Sequence, residues 1–110
     1  MKQTFSILFI PKYHKQNKHG EVPVYCRITV DGNRKEISTD VYVDPNMWSQ
    51  NSEKVVGKGN LVQSKNHLLR RMRDELLEIK YELLDREVML NSRKIKNKYL
   101  GIDKPSKTVL

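Results

Sequence analysis

A chain of 110 residues and 13.0 kDa makes one small domain with room for a tail, and a hydrophobic fraction of 37% is low but enough for a two-layer core. The net charge of +8, with 31% charged residues, points to a polyanionic partner, nucleic acid before an anionic membrane surface. One cysteine excludes an internal disulfide and a cysteine-based zinc cluster, and with no secretory signal or membrane-spanning run in the sequence a cytoplasmic location is expected.

Thr4 to Ile10 (TFSILFI) is apolar on both parities, as in a short strand or one covered on both sides. Phe5, Ile7 and Phe9 are the expected core residues, Pro11 ends the strand, and a polar, basic loop runs to Gly20. Val22, Val24, Cys26, Ile28 and Val30 then alternate with Pro23, Tyr25, Arg27 and Thr29, the period-two pattern of a half-buried strand. Asp31-Gly32 follows, a strong two-residue hairpin signal because both central positions tolerate positive φ. A two-residue loop pairs Val30 with Asn33, puts Cys26 opposite Ile37 and Val22 opposite Val41, and gathers the apolar residues on one face. Cys26 is then a buried hydrophobe, and Tyr25, Arg27, Thr29, Arg34, Glu36 and Ser38 share the other face.

Asp44-Pro45 breaks the third strand, and a loop to Asn60 carries Trp48, expected to plug the edge between sheet and helix. A long helix is predicted from near Leu61 to about Leu90. Leu68, Leu69, Met72, Leu76, Ile79 and Leu83 form its apolar stripe, widened by Leu77 and Leu84. Asn91-Ser92 reads as a cap, residues 93–100 as a short basic helix ended by Gly101, and residues 104–110 as a linker. The expected fold is α+β: a three-stranded antiparallel sheet packed against a long C-terminal helix. Residues 1–90 form the domain, and residues 91–110 a basic helix and linker.

No arrangement of residues offers catalysis. His67 and Arg70 flank core leucines with no companion acid, His14 and His19 lack further metal ligands, and no glycine-rich phosphate cradle exists. No cofactor, metal or small-molecule substrate is expected. The polar face of the hairpin suits nucleic acid instead. Tyr25, Arg27, Thr29, Arg34 and Ser38 are positioned to reach base edges, while Lys12, Lys15, Lys18 and Lys35 are expected to hold phosphates. Arg27 faces Glu36, a cross-strand ion pair worth a few tenths of a kcal/mol. Arg34 faces Thr29 and is the freer ligand. A protein-interaction role for the long helix, marked by Leu77, Leu84, Val88 and Leu90, is the alternative. RNA stacking on Tyr13, Tyr25 and Tyr42 is a third reading.

The run P-V-Y-x-R-I-T-V-x-G at 23–32, the run V-D-P-x-x-W at 43–48 and the Val56-Gly57 step before a long helix together resemble the N-terminal arm DNA-binding domain of tyrosine recombinases, chiefly integrases of conjugative transposons and related mobile elements. The resemblance covers roughly residues 3–100. It implies a sheet that enters the major groove of double-stranded DNA at accessory arm sites, with other integrase protomers or an accessory factor as further partners. Core-binding and catalytic domains follow in the family. Its arginine-rich constellation and tyrosine nucleophile are not matched here, so the segment is expected to bind DNA without cutting it.

Overall fold

The computed structural model describes residues 3–101, and the linker read at 104–110 lies outside them. Three strands, β1 (Phe5–Pro11), β2 (Val22–Val30) and β3 (Asn33–Val43), form an antiparallel meander with β2 in the centre. Asp31 (φ 50°) and Gly32 (φ 86°) make the two-residue turn, and Val30 pairs with Asn33 and Cys26 with Ile37, as the loop length demands.

Farther from the turn the register changes. Tyr25 still pairs with Ser38, but Val24 pairs with Val41 and Val22 with Val43, so the expected pairing of Val22 with Val41 does not form. Thr39 and Asp40 are looped out as a two-residue bulge, with Asp40 left-handed at φ 62°. Thr39 Oγ1 donates to the Val24 carbonyl at 2.7 Å and accepts from the Val41 amide at 3.1 Å, replacing the ladder bonds the bulge removes. The insertion is even-numbered and keeps side-chain parity. It exchanges Thr39 for Val41 opposite Val24, and Val41 and Val43 are both buried.

Segment 45–60, expected as loop, contains a minimal hairpin of β4 (Trp48–Ser49) and β5 (Lys54–Val55). Its side chains cover the free edge of β1. Glu53 Oε1 accepts from the Phe9 amide at 2.8 Å and Gln50 Nε2 donates to the Phe9 carbonyl at 3.0 Å. Asn66 on the long helix pairs with both backbone groups of Val55, at 2.8 and 2.9 Å, as another strand would. Trp48 packs half-buried against the core, with its Nε1 donating to Gln50 Oε1 at 2.9 Å.

Helix α1 spans Asn60–Asp85 and stops five residues short of the predicted Leu90. Glu87 is left-handed (φ 59°), its amide donates to the Leu84 carbonyl at 2.9 Å, and the Val88 amide reaches the Leu83 carbonyl at 2.9 Å. This is a Schellman termination without its usual glycine. Leu69, Met72, Leu76 and Leu83 form the buried stripe and Leu77 and Ile79 its half-buried margin. Leu68 and Leu84, assigned to the stripe from spacing, are 52% and 44% exposed, because the helix buries a narrower arc than its leucines occupy.

Helix α2 (Ser92–Leu100) begins at Asn91, whose Oδ1 accepts from the Lys94 amide at 2.6 Å, and ends on left-handed Gly101. It packs against β2, β3 and α1, with Ile95 fully buried, so it completes the core. Gln3 ties the two ends of this core together, its amide pairing with both backbone groups of Leu90 at 2.9 Å. Helices α1 and α2 lie on one side of the sheet, and among the described residues the opposite face carries its half-buried and exposed positions.

Candidate nucleic-acid interface

The pairing of β1 resolves its ambiguous parity. Phe5, Ile7 and Phe9 pair with Val30, Ile28 and Cys26 on the core side, which sends Ser6, Leu8 and Ile10 outward. The outward face is therefore a grid of three rows across β1, β2 and β3. Ser6, Thr29 and Arg34 form the row beside the turn, Leu8, Arg27 and Glu36 the middle, and Ile10, Tyr25 and Ser38 the last. Tyr25, Arg27, Thr29, Arg34 and Ser38 thus share one face, as read from the hairpin. Leu8 and Ile10 were not expected there, although a strand apolar on both parities carried the signal.

Lysines frame one end. Lys12 extends the outward parity of β1, its amide bonded to the Pro23 carbonyl at 2.8 Å, and Lys15 follows in the 3-10 turn Tyr13–Lys15. Their ammonium groups lie 5.4 and 5.0 Å from the Tyr25 ring centroid, and Lys15 Nζ donates to the Tyr25 hydroxyl at 3.2 Å. Lys18 stands exposed on a loop shaped by Asn17, whose Oδ1 accepts from the amides of His19 and Glu21 at 2.9 Å. Lys35, grouped with these lysines from sequence, pairs with Ile28 and so leaves the sheet on the opposite side from Arg34.

The middle row holds a charge cluster that sequence showed only in part. The predicted Arg27–Glu36 pair forms, with Nη2 and Nε at 3.0 and 3.1 Å from Glu36 Oε2. Lys12 reaches diagonally past Tyr25 to Glu36 Oε1 at 2.6 Å. The hydrogen bond from Lys12 holds the Glu36 carboxyl below the usual carboxylate range; desolvation opposes it, and the bond from Arg27 adds to the lowering. Arg34 faces Thr29, is exposed, and has no ion-pair partner among the described residues.

Elsewhere the chemistry is quiet. Burial pushes the Cys26 thiol up to about 12, which keeps it protonated and unreactive. His14, His19, His67 and Arg70 are exposed, and no cluster of three or more His, Cys, Asp or Glu residues able to hold a metal ion is found among the described residues. No helix there is long and apolar enough to cross a membrane. The cleft between α1 and α2, about 520 Å³, is lined by Glu75, Glu78 and Glu82 with Lys98, so it opposes a polyanion on the side of the molecule away from the grid.

A comparison with protein-family models matches residues 9–96 to the Arm DNA-binding domain. No curated protein and no solved structure matches. The match spans all of β2 and β3, the hairpin β4–β5, α1 and half of α2, together with every lysine and arginine of the outward face. This chain belongs to the Arm DNA-binding domain family.

Proposed function

We propose that this DNA-binding domain docks a site-specific tyrosine recombinase, an integrase of a mobile element, onto accessory arm sites, with its three-stranded sheet in the major groove and no catalysis of its own. The observation that carries this reading is the outward grid, which presents two arginines, the hydroxyls of Ser6, Thr29 and Ser38, and Tyr25 on one face of the sheet. Three strands about 4.8 Å apart span roughly 10 Å, comparable to a major groove about 12 Å wide. Arg34 and Arg27 suit guanine edges, Leu8 and Ile10 suit thymine methyl groups, and Thr29, Ser38 and Tyr25 complete the readout. Lys15 and Lys18 lie at the rim for phosphates, Lys12 beside them is engaged by Glu36, and Lys35 belongs to the other side of the sheet.

Anisotropy titrations with duplex DNA, single-stranded DNA and RNA across a salt series test this. Duplex preference with a steep salt dependence is expected, at a slope of about 0.9 per phosphate neutralised. Equal binding to all three, or tighter binding to RNA, would overturn the groove reading. A second reading, self-association or contact with an accessory factor through α1, rests on exposed Leu68, Tyr81 and Leu84. Of the four residues expected to mark that surface, only Leu84 is exposed: Leu90 is buried, and Leu77 and Val88 pack half-buried against the core. Sedimentation with and without duplex separates the two readings: a monomer in both, still binding DNA, rules out self-association.

A further inference from the structure

A carboxylate at the centre of a DNA-facing surface is unfavourable unless it performs a function, because it repels phosphates and offers few base edges an acceptor. Glu36 is only partly exposed, and both of its oxygens are spent on cations: Oε1 on Lys12 at 2.6 Å and Oε2 on Arg27 at 3.0 and 3.1 Å. The Arg27 contact uses Nε and Nη2, which fixes the plane of the guanidinium and leaves Nη1 without a partner among the described residues. Lys12 is drawn inward across Tyr25 to make its bond, away from the position a phosphate-seeking lysine takes at a rim.

We propose that Glu36 is a specificity-determining residue: it holds Arg27 rigid for a guanine edge and withholds Lys12 and part of Arg27 from non-specific phosphate contact. The inference rests on the groove reading above. Its physical basis is that base readout depends on donors fixed in direction, whereas phosphate binding rewards any mobile positive charge. An internal counter-ion that orders one cation and neutralises two therefore lowers affinity for random DNA more than for the preferred site.

The test uses a duplex selected by the parent protein from a random pool, compared with a scrambled duplex of equal length, for the parent, Glu36→Gln and the double variant Lys12→Met/Glu36→Gln. Glu36→Gln should bind the scrambled duplex about threefold or more tighter, with a salt slope steeper by up to about 0.9, as a cation is released to a phosphate. The ratio between selected and scrambled affinities should fall roughly tenfold, within the range of one lost bidentate base contact. The double variant should return scrambled binding to the parental level without restoring the ratio. Uniform weakening on both duplexes would reduce Glu36 to a structural role and overturn the proposal, as would unchanged binding to both. A parent that selects no sequence overturns the groove reading and this inference together. A selective parent with an indifferent Glu36→Gln variant overturns this inference alone.

Discussion

Arg34 and Lys35 are neighbours in sequence on opposite sides of one strand, and replacing each by alanine separates a directed interface from general charge attraction. Each substitution removes one positive charge, so long-range attraction to DNA falls equally in both. Arg34 stands on the outward face across from Thr29, unpaired among the described residues, whereas Lys35 stands across from buried Ile28 on the helix side. If the outward face enters the groove, Arg34→Ala removes a bidentate donor worth roughly 1–3 kcal/mol at the preferred site, a loss of about 5- to 150-fold. Lys35→Ala then removes no close contact and should cost less than about 0.5 kcal/mol, a factor of roughly two. Fluorescence anisotropy with a selected and a scrambled duplex at two salt concentrations reads both. Arg34→Ala should also lower the selected-to-scrambled ratio, which Lys35→Ala should leave alone. Equal losses for the two variants would show that net charge, not the sheet face, governs binding.

Three further outcomes follow from packing and titration. Ile95→Ala should destabilise the domain by about 2–5 kcal/mol in urea unfolding, because Ile95 is fully buried between α2 and the sheet; a cost under about 0.5 kcal/mol would show that α2 is not docked. Glu36 and Asp31 both have carboxyl groups held below their ordinary range, Glu36 first by Lys12 and Asp31 first by Gln3. A depressed folded-state value means their stabilisation is complete above the unfolded value and is lost as pH falls through the folded one. The gap between parent and the Glu36→Gln or Asp31→Asn variants should accordingly close below about pH 4, and a gap that widens there would contradict the assignment. Cys26, buried and raised to about 12, should react with a thiol reagent only as fast as the domain opens, so rapid labelling of the folded protein would show that its strand is not where the core requires it.

The parts legible in sequence are those whose signals are local. Asp31-Gly32 set the hairpin register as far as Tyr25–Ser38, and Asn91 and Gly101 marked both ends of α2. The bulge at Thr39-Asp40 left no trace, since an insertion of two residues preserves alternation and only the partner strand reveals the shift. The end of α1 was hidden because Glu87, not glycine or asparagine, takes the left-handed position, held there by the packing of Val88 and Leu90. The hairpin β4–β5 has two residues per strand, and its support comes from Gln50, Glu53 and Asn66 bonding to residues distant in the chain. The same division runs through the outward face. Alternation within the β2–β3 hairpin placed Tyr25, Arg27, Thr29, Arg34 and Ser38 on one face, whereas β1 adds Leu8, Ile10 and the diagonal reach of Lys12, which need the three-strand pairing to be seen.

Backbone amide NMR during titration with a selected duplex tests the central claim most directly. The account predicts that the largest shift changes fall on β1 to β3 around Leu8, Ile10, Tyr25, Arg27, Thr29, Arg34 and Ser38, with the rim at Lys12 to Lys18 next and the outer surface of α1 unmoved. Changes concentrated on α1 around Tyr81 and Leu84, with the sheet silent, would contradict it.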